Sequence, residues 1–132
     1  MANFSDNDFA FGRWETPFEN ARIELMAVEY GEDQSLAFGI SVIESGETYR
    51  VRFDKVSAFR VLDESGLTEI WDRTGAEGGR RGSATFRVRN HLWTRESPLI
   101  FLASDGWSHI AASEDDCIEI VSTSEPEITH LA

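Results

Sequence analysis

The sequence predicts a mainly β domain: an antiparallel meander that closes toward a sandwich or a partly open barrel, with one short helix. Three observations predict it. Short runs of β-branched and aromatic residues alternate apolar and polar at period two. These runs recur about every ten residues, the spacing of an all-β domain. Gly-containing acidic or polar clusters separate them, as at Gly31, Gly46 and Gly66, where turns need unusual backbone angles.

The elements follow in order. Residues 1–20 are aromatic and acidic (Phe4, Phe9, Phe11, Trp14, Phe18) without a clean period, and read as an arm packed on the body. In residues 21–30, Ile23, Leu25 and Ala27 face one way and Arg22 and Glu24 the other. In residues 35–43, Leu36, Phe38, Ile40 and Val42 alternate with Ala37, Gly39 and Ser41. Residues 48–54 form the clearest strand, with Tyr49, Val51 and Phe53 inward and Arg50 and Arg52 outward. Residues 56–62 fit a strand or a short helical turn, and residues 67–71 (LTEIW) read as a returning strand. After the Gly-rich loop at 74–83, residues 85–90 repeat the pattern, with Phe86 and Val88 in and Arg87 and Arg89 out. Leu92, Trp93, Ile100 and Phe101 fit one short helix near 92–103, with Pro98 early in its second segment. Residues 107–113 and 117–122 close a hairpin across Glu114-Asp115-Asp116, with Ile118 and Ile120 in and Glu119 out. The last ten residues read as loop.

Length and composition bound the function. A chain of 132 residues, 41 % apolar, with nine Phe, four Trp and two Tyr, is long enough to bury a core as a single domain spanning 1–132. Twelve cationic against 24 acidic side chains give a net charge of −12. That charge repels phosphate backbones and anionic lipid, so nucleic acid and membrane are not expected partners, and it favours a partner with a basic surface. The single cysteine, Cys117, excludes an intramolecular disulfide and a zinc ribbon. No signal peptide or membrane-spanning run is present, so a cytoplasmic location is expected.

Within this acidic chain, residues 73–95 carry six arginines against one acid, Glu77. Two features of that island could bind an anion. Gly75, Gly78, Gly79 and Gly82 flank Arg80 and Arg81, where freed backbone amides beside guanidiniums could cradle a phosphate. The spacing matches neither a P-loop nor a dinucleotide fingerprint. Arg87 and Arg89 form an outward row like Arg50 and Arg52. If the two strands were neighbours, four guanidiniums would share a face and need anions. Glu24, Glu69 or Glu119 would supply them internally; an acidic partner would supply them externally. His91 and His109 lie close by in sequence. The candidate anion or ligand residues are therefore Arg80, Arg81, Arg87, Arg89 and His91. A Cys117–His109 nucleophilic pair would need close approach and a lowered thiol pKa; a buried, inert thiol is the ordinary alternative. No catalytic motif, cofactor signature or metal-ligand spacing occurs, and the reading leans away from an enzyme.

The stretch SHIAASEDDCIEIVSTSEPEI (108–128), preceded by Asn90-His91-Leu92-Trp93, resembles a pattern in small bacterial toxin-immunity-like families. The resemblance covers residues 85–128 and carries no functional residue. It implies a bacterial, non-enzymatic protein that sequesters a partner. The expectations are thus a protein-binding, immunity-like domain; a small-ligand or anion-binding β domain using residues 80–89; or a structural homo-oligomer.

Overall fold

A computed structural model describes residues 9–76 and 83–132. The domain is β-dominated, as the alternation requires, and its described strands form two antiparallel sheets and no closed barrel. The strands are β1 (Ala10–Arg13), β2 (Ile23–Tyr30), β3 (Leu36–Val42), β4 (Thr48–Phe53), β5 (Val56–Asp63), β6 (Thr85–Arg89), β7 (Trp107–Ala112), β8 (Asp116–Ser122) and β9 (Glu127–His130). One sheet has the order β1-β6-β7-β8-β5 and the other β2-β3-β4-β9.

The period-two pattern supplies the core between the sheets. Leu36, Phe38 and Ile40 of β3 and Tyr49, Val51 and Phe53 of β4 pack on Ala111, Ile118 and Ile120 of the five-stranded sheet. The aromatic lead-in contributes Trp14 and Phe18 to the same core. Its residues 10–13 are more than an arm: they pair in register with β6, Phe11 opposite Val88 and Gly12 opposite Arg87.

The outer face of the five-stranded sheet is also covered. Phe86, Val88, Ile110, Ala112 and Cys117 form a second apolar cluster with Phe9, Leu67 and Ile70. Leu67 and Ile70 belong to the segment expected to be a strand, which is helical instead: a 3-10 turn, Glu64–Leu67, leads into α1, Thr68–Ala76. Leu67, Ile70 and Trp71 fall at three-to-four-residue spacing, which lays one apolar side on the sheet. Within five residues that spacing and a strand alternation are hard to tell apart.

The expected helix near 92–103 is two pieces. Helix α2, Leu92–Glu96, is followed by a 3-10 turn, Pro98–Phe101, with Pro98 at its start. Asn90 takes a left-handed φ of 61°, turning the chain from β6 so that His91 enters the outer layer. Both carboxylate oxygens of Glu69 accept from the Leu92 amide at 3.0 and 3.1 Å, so α1 caps α2. Residues 127–130, expected to be loop, form β9, and the paired edge extends to the terminus through Thr48 N–H to the Ala132 carbonyl at 3.0 Å.

Candidate functional site

The two arginine rows lie in different sheets, because β4 and β6 do not pair. They therefore do not pool four cations on one face. Arg52 is neutralised locally, contacting Asp54 and, at 3.5 Å, Asp33. Arg80 and Arg81 lie outside the described residues.

Arg87 and Arg89 point to the inter-sheet side of β6, at the end where the sheets part. There they meet Trp107, which pairs with Arg89 across β7. The Arg87 and Arg89 guanidinium carbons lie 5.1 and 5.9 Å from the Trp107 ring centroid. Two glycines make room. A Cβ at Gly12 would lie 3.3 Å from Cζ3 of Trp107, and Gly106, at φ +88°, precedes the indole where a Cβ would crowd Arg89 Nε at 3.2 Å. The Arg87 Nε donates to the Arg13 carbonyl at 3.1 Å. Among the described residues no carboxylate lies within ion-pair distance of Arg87 or Arg89, and the buried Arg89 Nε has no hydrogen-bond partner.

His109 pairs with Arg87 across the strands and shares its face. Its ring packs edge-on against Trp14 and Phe53, 4.8 and 5.4 Å away. Burial pushes its pKa down to about 4, with Glu125 opposing the shift and Arg87 adding to it. The ring is therefore neutral at pH 7. Its Nε2 is buried without a hydrogen bond; the nearest acid, Glu125, stands 3.8 Å away and is itself exposed. Arg87, Trp107, His109 and the 122–125 segment line a cleft of about 210 Å³. Arg87 and Glu125 also border an adjoining hollow of about 300 Å³ beside Trp14 and Pro126.

His91 does not join this group. It is fully buried on the opposite face of the sheet, with Glu119, which the alternation placed outward toward solvent. Glu119 is 1 % exposed because α2 covers that face. Its Oε2 accepts from His91 Nε2 at 2.6 Å and from Ser108 Oγ at 2.7 Å. Its Oε1 accepts from Arg60 Nε at 2.9 Å and Nη2 at 2.7 Å. Burial alone would raise the Glu119 carboxyl; the hydrogen bond and charge of His91, then Arg60 and Ser108, outweigh it and hold the group below the ordinary value. Arg60 also stacks over Trp93 at 4.3 Å, and His91 Nδ1 meets Thr94 Oγ1 at 3.2 Å. A hydroxyl–imidazole–carboxylate line thus exists in Thr94, His91 and Glu119, but all three are sealed from solvent and no substrate can reach them. It fastens α2 to the sheet.

Cys117 lies on that same outer face, away from His109, and its Sγ donates to the Leu62 carbonyl at 3.5 Å. Burial pushes the thiol up to about 12, which removes it as a nucleophile at neutral pH. Among the described residues no group of His, Cys, Asp and Glu is placed to hold a metal ion, and no helix is long and apolar enough to cross a membrane.

The sequence singled out Arg87 and Arg89 as candidates but not Trp107, on which they pack, nor Ser108 and Arg60 as partners of Glu119. One signal was available: a glutamate in the middle of the apolar run CIEIV is poorly suited to a one-sided sheet and fits a covered one. No protein-family model, curated protein or solved structure matches this chain.

Proposed function

We propose that this protein is a non-catalytic binding domain for an anionic ligand, seated on Arg87 and His109 with Arg89 against the neighbouring Trp107. One observation carries the reading: in a chain of net charge −12, two neighbouring guanidiniums stack on Trp107 with no carboxylate of the described residues within ion-pair distance. Acids are plentiful enough to neutralise them, and Arg13, Arg22, Arg52 and Arg60 are all neutralised in that way. A buried guanidinium nitrogen and a buried imidazole nitrogen without acceptors or donors are unfavourable unless a ligand group satisfies them. The absence of chemistry in the reading rests on the sealed Thr94–His91–Glu119 line and the inert Cys117. Thermal-shift titration against a panel of inorganic and organic anions tests it. Stabilisation that disappears in Arg87→Ala is the expected result; flat melting across the panel contradicts it.

A second reading has its own support. At the other end of the sandwich, Glu24, Glu114, Asp115 and Asp116 surround Arg22 in a depression of about 450 Å³. Beside it the edge strand β2 exposes Met26, Val28 and Tyr30. An apolar strip flanked by acids suits a partner with a basic surface, and an immunity-like role against a basic toxin is its most concrete form. Charge reversal at Glu114 and Asp116 should then slow association with the captured partner; unchanged association contradicts the idea.

A further inference from the structure

We propose that the ligand of this cleft is a phosphomonoester on a small hydroxylated carrier, and that its phosphoryl group displaces the carboxylate of Glu125. The inference rests on the anion-binding reading and specifies its chemistry. The donors are of three kinds and converge from different sides. Arg87 contributes a forked guanidinium, His109 a neutral ring nitrogen able to donate from its Nε2–H form, and Thr123 a hydroxyl from the β8–β9 connection. A tetrahedral group with three outer oxygens can use donors spread in this way, whereas a planar carboxylate cannot meet all of them.

The other hydroxyls of the cleft are already committed. Ser122 Oγ donates to the Lys55 carbonyl, Ser124 Oγ is hydrogen-bonded to Ser122 Oγ at 3.4 Å, and Ser104 Oγ donates to the Phe101 carbonyl at 3.2 Å. Glu125 is the internal stand-in for the ligand anion. It approaches His109 Nε2 to only 3.8 Å, beyond hydrogen-bonding range, and is 79 % exposed, so moving it breaks no hydrogen bond. Asp105, also on the rim, would repel a diffuse polyanion but can accept from carrier hydroxyls. Size points the same way. About 210 Å³ falls below the roughly 300–1,000 Å³ typical of drug-sized ligands. Arg87 and Arg89 both pack against the Trp107 ring, whose edge lies close over Gly12, so little of the indole is left as a platform for a nucleobase.

Calorimetric titration with inorganic phosphate, glycerol 3-phosphate, glycerol, adenosine monophosphate and heparin tests the inference. Circular dichroism checks that each variant is folded. The expected results are binding of glycerol 3-phosphate and phosphate but not glycerol, and a roughly tenfold or greater loss in Arg87→Ala. Glu125→Gln should bind glycerol 3-phosphate several-fold more tightly, because the competing carboxylate is gone, whereas His109→Phe should weaken it. Binding of heparin or the mononucleotide through Arg87, with no response to glycerol 3-phosphate, overturns the phosphomonoester assignment and leaves the anion-binding reading intact. Glycerol 3-phosphate binding that is unchanged or weakened in Glu125→Gln overturns the displacement. No binding of any anion overturns both.

Discussion

Glu119 shows how one buried charge can organise a layer. It has four donor contacts from three side chains that arrive from β5, β7 and the start of α2. Removing a partner from a buried ionic group leaves the others uncompensated, which typically costs about 3–5 kcal/mol. Glu119→Ala should lose stability on that order in urea denaturation, and Glu119→Gln clearly less, since the amide oxygen still accepts. Equal losses would mean that packing, not hydrogen bonding, holds α2. Acid should destabilise the protein in two steps. His109 titrates at about 4 in the folded state against an ordinary 6.5, so the unfolded chain binds the proton first. Its contribution is complete above pH 6.5 and is lost as the pH falls toward 4, on the order of 3 kcal/mol in full. Glu119, held below its ordinary value of 4.5, adds a loss of its own as the pH falls below 4.5. In His109→Gln the stability curve should flatten between pH 6.5 and 4 while the lower step remains; an unchanged curve would contradict this assignment.

Strands β3 and β4 were legible because their alternation is long and matches a buried inward side, and β7 and β8 because the turn cluster Glu114-Asp115-Asp116 separates two short β-forming runs, although both faces of these strands are buried. Three elements were not, and each for a physical reason. Helix α1 begins in LTEIW, where Leu67, Ile70 and Trp71 satisfy a helical stripe as well as a strand would. Strand β9 gains its pairing from Tyr49–Arg52 of β4, a long-range partner that no local propensity encodes. Strand β1 is short, and what positions it is Gly12, whose lack of a side chain admits Trp107. The site was half legible. The alternation put Arg87 and Arg89 on one side of their strand, but which side meets the second sheet depends on the outer layer of helices, and that layer was hidden by the misread 67–71 segment. It also turned His91 from a candidate ligand into a buried support. Gly12→Val should displace Trp107 and cost roughly 1–3 kcal/mol, as overpacking does. Indole fluorescence should shift, and anion-induced stabilisation should vanish with it. Retained stabilisation would remove Trp107 from the site.

The two-layer core with a helical cover separates a rigid side from a receptive one. On the outer face His91, Thr94, Ser108, Glu119 and Cys117 are buried, so they report opening of the whole domain. Labelling of Cys117 by a thiol reagent should be undetectably slow in native buffer and should follow global unfolding as urea is added. Fast labelling of the native state would show that the helical layer detaches on its own. The receptive side lies at the opposite face of the same sheet, where Arg87 and Arg89 have no counter-ion among the described residues of a strongly acidic molecule. The anion site proposed for this protein lies here. Mapping ¹H–¹⁵N shifts during titration with inorganic phosphate tests it most directly. The account predicts saturable changes at the Arg87 and Arg89 Nε–H, the Trp107 indole N–H and the Thr123 and Ser124 amides, with His91 and Thr94 unmoved. Changes confined to other surfaces, or none at all, would contradict it.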